Sequence, residues 1–153
     1  MKDEIRAMIS GHIDRYGQHL VKVFLTDDDP PHALPCIYTI GNHERRLPEL
    51  LIVAFNDGQD ADILNHLAEM QRKRGTAFRH GEEVSLGGTY PVRIVAAGQR
   101  ARDEYAVQIG VYYHTESYDV RQVLYCDPNG RFPGDPGCEE PYCQQPDLSR
   151  ADA

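Results

Sequence analysis

Two strand-forming segments separated by a short polar insert constrain the fold of this chain more than any other feature. Leu34-Pro-Cys-Ile-Tyr-Thr-Ile-Gly41 and Leu47-Pro-Glu-Leu-Leu-Ile-Val-Ala-Phe55 concentrate β-branched, aromatic and aliphatic residues, and Asn42-His-Glu-Arg-Arg46 divides them. Leu51 to Phe55 is apolar on both faces, the pattern of a strand covered from both sides. A buried strand that runs into a glycine and a charged loop is also a common place to build a site.

The flanking sequence supplies the layers. Ile5, Met8, Ile9, Ile13 and Tyr16 recur at helical spacing, and Gly17 is placed to end that helix in a left-handed cap. Leu20 to Leu25 reads as a strand, and Thr26-Asp-Asp-Asp-Pro-Pro-His32 as a solvated loop, since its prolines cannot sit in a central strand. Asn56-Asp-Gly-Gln59 breaks the buried strand. Asp60 then suits the N-cap of a helix whose Ile63, Leu64, Leu67 and Met70 form a stripe, with Arg72-Lys-Arg74 at its negative end and Gly75 ending it. Glu83 to Leu86 and Thr89 to Val95 read as a hairpin turning at Gly87-Gly88, with Pro91 placing the second strand at an edge or bulge. Residues 103–114 fit a helix or a strand, with helix preferred, and Val120 to Tyr125 fits a strand. Asp127-Pro-Asn-Gly130 has the residues of a type I turn.

These elements predict an α+β fold in a single domain over 1–153. The sheet is expected to be mostly antiparallel and barrel-like, with the 60–74 helix packed across it and the N-terminal helix outside. From about residue 132 the chain is rich in Pro, Gly and acids, so it can wrap a surface but builds no core of its own.

A net charge of −8 argues against a general nucleic-acid binder, which needs a basic face to displace counterions. No apolar run approaches the ~20 residues that span a bilayer, and the charged N-terminus does not read as a signal peptide. The expected location is the cytoplasm, where Cys126, Cys138 and Cys143 would be thiols and Cys36 a small core residue. Their spacing, even with His114, falls short of two close pairs of zinc ligands, so a metal site is not expected.

No nucleophile elbow, phosphate loop or dinucleotide fingerprint is present. His43-Glu44 begins like a zinc-protease motif, but Leu47 stands where the second His belongs. The remaining polar candidates are scattered. Tyr38 and Thr39 face opposite ways on one strand, and His43 lies in the polar insert. Glu49 precedes the buried strand, where a carboxylate must be solvated, paired or bonded to backbone N–H groups. His66 and Asn65 adjoin the helical stripe. Gln122 becomes a buried amide needing partners if it shares the core face of its strand with Val120 and Leu124. Asp127 and Arg131 flank the tight turn, and such an arginine can hold a carboxylate or phosphate in a bidentate way.

Several of these segments together resemble an uncharacterised bacterial family, the domain of unknown function numbered 4262. They are Tyr38-Thr-Ile-Gly41, Pro48-Glu-Leu50, Ile63-Leu-Asn65, the Gly75…Phe78…Gly81 return, Gln122, and Asp127-x-x-Gly-Arg-Phe-Pro133, in that order. The likeness runs from about Ile9 to Gln145-Pro146. Three places depart from the family pattern: Asn42 follows Gly41 in place of an apolar residue, Leu47 precedes Pro48 in place of His, and Tyr125 and Gly134 stand where aromatics, often Trp, flank the last motif. The resemblance implies a bacterial or phage origin and brings no established activity.

The leading expectation is a domain binding a small ligand or a protein partner at a site made by the 41–49 insert and the 127–133 turn. Its residues would be Tyr38, Gly41, His43, Glu49, Gln122, Asp127 and Arg131. One alternative is a flavin-dependent oxidoreductase of split-barrel type, by analogy in element order, with Arg45, Arg46 or Arg131 holding phosphate. Another is an immunity or anti-defence protein that uses its acidity to reach a basic partner.

Overall fold

The computed structural model describes residues 1–55 and 57–150. In chain order these form α1 (Asp3–Tyr16), β1 (His19–Val23), β2 (Cys36–Ile40), β3 (Glu49–Val53), α2 (Gly58–Arg74), β4 (Glu82–Val84), β5 (Val92–Ala96), α3 (Val107–Tyr113) and β6 (Val120–Leu124). The strands make one mixed sheet in the order β1-β2-β3-β6-β5-β4. Neighbours are antiparallel except β3 and β6, which run parallel from Glu49↔Val120 to Leu51↔Gln122.

The α+β expectation holds, and barrel closure does not: β1 and β4 are opposite edges of an open sheet. The parallel pair explains the difference. A strand returning parallel to its neighbour needs a long crossover, and here α2, β4, β5 and α3 all lie between β3 and β6. Helices therefore cover both faces, and the sheet has no need to curl onto itself.

Alternation along the strands divides the core. Ile37, Leu50, Ile52, Ile94 and Val123 pack under Leu64, Leu67 and Ala68 of α2. Cys36, Tyr38, Ile40, Leu51, Val53 and Val120 face Ile9 and Ile13 of α1 and Ile109 of α3. Each fully buried aliphatic side chain contributes roughly 1.5–3 kcal/mol relative to exposure. The Cys36 thiol is a core group that burial pushes up to about 12.

Three local expectations are corrected. Asp57, not Asp60, is the N-cap of α2: its carboxylate accepts from the N–H groups of Gln59 and Asp60, while Asp60 accepts from the Asp57 N–H at 2.8 Å. This reciprocal capping box places Asp60 at the third helical position. Pro91 does not mark an edge strand, because β5 begins at Val92, beyond the residue that lacks an N–H, and β4 is the edge. Residues 103–114 contain α3, preceded by a π-helical turn at Ala101–Tyr105.

The late part of the chain is a strap over the α1/α3 face. Gln122 is buried, as its strand pattern allowed. It donates to the Pro146 carbonyl at 2.6 Å and accepts from the Leu148 N–H at 2.9 Å. Gln145 accepts from the Tyr125 N–H and donates to the Tyr125 carbonyl, both at 2.8 Å, extending β6 by a side chain. Leu148 is thereby buried in the core.

Where α1 meets β1, His12 and His19 stack with ring centroids 5.0 Å apart and Nδ1 atoms 2.8 Å apart. One ring must donate and the other accept, so both cannot be protonated in this geometry. Burial, then the neighbouring His12, holds His19 below its ordinary 6.5. Between the lowered folded value and 6.5 the unfolded chain binds more protons, so this stability is present above pH 6.5 and is lost as pH falls below it. The thermal midpoint should drop more steeply between about pH 7 and pH 5 in the parent chain than in His19→Gln. Equal slopes would show that the pair does not couple folding to protons.

Candidate functional site

The Glu49 side chain, at the start of β3, is fully buried. Five donors converge on it. They are the Thr39 hydroxyl at 2.8 Å, the N–H groups of Gly41, Asn42 and His43 at 2.9, 3.0 and 3.1 Å, and the Asn42 amide at 3.1 Å. Successive N–H groups of this kind form a concave nest for an anion, and Glu49 fills it from within. Burial pushes its carboxyl upward, and the bonds from His43, Gly41, Thr39 and Asn42 pull it back down. Thr39 also accepts from the Leu50 N–H at 2.9 Å, tying the hydroxyl into the start of β3.

The insert is held from outside as well. Arg45 donates to the carbonyls of Gly17 and Gly41 at 2.6 and 3.1 Å. Gly41 has φ 138°, and a Cβ there would lie 2.9 Å from the Gly17 carbonyl oxygen and 3.1 Å from Gln18 Cα, so only glycine fits. His43 rests on Tyr113 with ring centroids 4.7 Å apart. The Tyr38 hydroxyl accepts from the Gln108 N–H at 3.1 Å, and burial raises its phenol.

The parallel register separates the sequence candidates. Gly41, His43 and Glu49 gather where β3 begins, while Tyr38 and Gln122 lie level with each other on either side of Leu51. Gln122 lies midway along β6 under the strap, and Asp127 and Arg131 follow its far end. The five-residue strands alone hold these ends roughly 13 Å apart at the usual rise. The insert and the turn therefore lie toward opposite ends of the parallel pair. Asp127 is buried and holds the turn itself, accepting from the N–H groups of Asn129, Arg131 and Glu139 at 2.9, 2.9 and 3.0 Å. These bonds keep its carboxyl below the ordinary range despite desolvation. Arg131 donates outward to the Gly137 carbonyl.

A cleft of about 390 Å³ opens instead beyond the carboxyl ends of β3 and β6, at the start of α2. Phe55, Asp57 and Asp60 form one side, Tyr125 to Pro128 another, and Thr89 to Val92 and Tyr142 complete it. Tyr125 donates to Asp60 at 2.6 Å, which works against the upward push of burial on Asp60. Phe55 lies 5.4 Å from the Tyr125 ring and 6.0 Å from Tyr142, centroid to centroid. Tyr90 rests on Gly130, where a Cβ would stand 2.8 Å from its ring. Ala54, which turns the chain from β3 toward Phe55, has φ 82°, a conformation that costs a non-glycine residue roughly 1–3 kcal/mol.

Sequence reasoning reached only the Asp127 wall of this cleft. Its other residues read singly as a helix cap, a strand end or a turn. The available signal was Phe55-x-Asp57-x-x-Asp60, a capped helix following at once on a doubly buried strand.

Among the described residues, no group of three or more His, Cys, Asp or Glu is placed to hold a metal ion, and the four cysteines are free thiols. No described helix is long and apolar enough to cross a membrane.

The family described as Domain of unknown function (DUF4262) matches residues 12–139. The chain belongs to that family. The DUF4262 match takes in the Glu49 nest, α2, all six strands and the Asp127 turn, and it ends before Gln145 and Leu148 of the strap. No curated protein and no solved structure matches the chain.

Replacing Glu49 by Gln should destabilise the fold by about 3 kcal/mol or more in urea unfolding, because a neutral amide would point an NH₂ group at converging donors. A change within experimental error would show that the nest closes without the carboxylate.

Proposed function

We propose that this chain binds a small molecule in the cleft between β3, β6 and the start of α2. The observation that carries the reading is a cavity lined by aromatic rings at the carboxyl ends of a parallel strand pair, beside a helix N-terminus. Open sheets with parallel strands characteristically place their ligands there. The positive φ of Ala54 supports it, since backbone strain collects where a structure must aim a side chain, and the residue aimed here is Phe55.

A larger groove of about 700 Å³ runs beside the π-helical turn, between Gln99 and Tyr118. Arg102, Asp103, His114 and Glu116 on its lining make it a polar surface trough without the facing aromatic walls of the smaller cleft. Binding sites combine an apolar, aromatic lining with a few placed polar groups, and the smaller cleft has both. The flavin alternative depended on a split barrel, and the open sheet withdraws that analogy.

One observation favours a protein partner as a second reading. Ile5, Met8 and Tyr16 on α1, and Phe24 and Leu25 just after β1, expose large apolar side chains on elements that pack together. A partner captured by the parent chain and lost with Phe24→Asp would support it.

Fragment screening by thermal shift should find aromatic or cyclic compounds that stabilise the parent chain and not Tyr142→Ala. Tyr142 is partly exposed, so its truncation should leave the fold intact. Fragments that stabilise both proteins equally would place binding elsewhere.

A further inference from the structure

We infer that the ligand of this cleft carries a methylated ammonium group, a reading that rests on the cleft being the binding site. The walls present the aromatic residues Phe55, Tyr90, Tyr125 and Tyr142, whose ring faces attract a cation through their quadrupoles. Asp57, Asp60 and Asp127 lie on the same lining, and among the described lining residues there is no Lys, Arg or His. The nearby arginines are turned to other work: Arg93 covers the Phe132 ring, and Arg131 donates to the Gly137 carbonyl.

A helix N-terminus would ordinarily invite an anion. Here that place is taken, because Asp57 accepts from the N–H groups of Gln59 and Asp60. An incoming phosphate or carboxylate would find those donors used and a carboxylate in front of it.

The aromatic lining bears on which cation it is. Asp60 already accepts from the Tyr125 hydroxyl and the Asp57 N–H, and Asp127 from three backbone N–H groups. Together with Asp57, these carboxylates supply negative potential to the cleft. A primary ammonium has three N–H groups and needs an acceptor placed for each. A trimethylammonium has none to satisfy and needs only ring faces and a negative field. Its apolar surface also gains from leaving water against Phe55 and Pro91.

Titration calorimetry with choline, and with its neutral carbon isostere bearing a tert-butyl group in place of the trimethylammonium, tests this. Choline should bind about tenfold more tightly than the isostere. The preference should fall severalfold in Tyr142→Leu and in Tyr90→Leu, which keep the apolar bulk and lose a ring. Tyr90 is exposed, so at least that variant should fold. Inorganic phosphate should not compete. Equal affinity for choline and the isostere, with amide shifts at Phe55, Asp60 and Tyr125, would overturn the ammonium assignment and leave the cleft a ligand site. No heat and no amide shift at those residues with either probe would overturn both.

Discussion

Glu49 brings a carboxylate to a position with no exposed surface, and the β2–β3 connection takes its shape from meeting that demand. A buried charge is costly unless paired or bonded. No cation lies within ion-pair reach of it among the described residues. The chain satisfies it with neutral donors by folding Gly41, Asn42 and His43 into a nest and setting Thr39 against it. Gly41 must then approach the Gly17 carbonyl, which fixes where α1 ends against the sheet. The N-terminal helix, the hairpin and the start of the central strand are thus joined through one side chain.

This closure gives the parallel pair two unlike ends. Where β3 and β6 begin, polar groups turn inward and bond to each other. Where they finish, Ala54 twists the chain outward, Asp57 caps α2, and four aromatic residues border open space. The residues that suggested a charged active-site loop serve chiefly to hold that loop down. The Asp127 turn has a double part, since its carboxylate gathers three backbone donors while its backbone forms a wall of the cleft beneath Tyr90.

Much of the secondary structure was legible because it rests on local rules. The Ile9 and Ile13 stripe with Gly17, the apolar run from Leu51, and the Leu64 and Leu67 face each carry their own periodicity and stop signal. Gln122 was legible conditionally, since its strand face decided whether it needed partners, and Pro146 and Leu148 supply them. Strand order was not legible, because nothing local to Val120–Leu124 says that it lies parallel to β3. Without that order, the insert and the turn looked like neighbours. The cleft was hidden for the same reason: Phe55, Tyr90, Tyr125 and Tyr142 come from separate segments that only the sheet order brings together. The choice between Asp57 and Asp60 as cap turned on a reciprocal bond that composition alone does not distinguish.

Native-state hydrogen exchange followed residue by residue offers the sharpest check on the closed end. If Glu49 seals it, the amides of Gly41, Asn42 and His43 should exchange only through global unfolding, with the same free energy as the core amides of β3. Their protection should collapse in Glu49→Gln while that of α2 falls only with overall stability. Exchange of those three amides through fast local opening in the parent chain would contradict the assignment of Glu49 as the group on which this end of the fold depends.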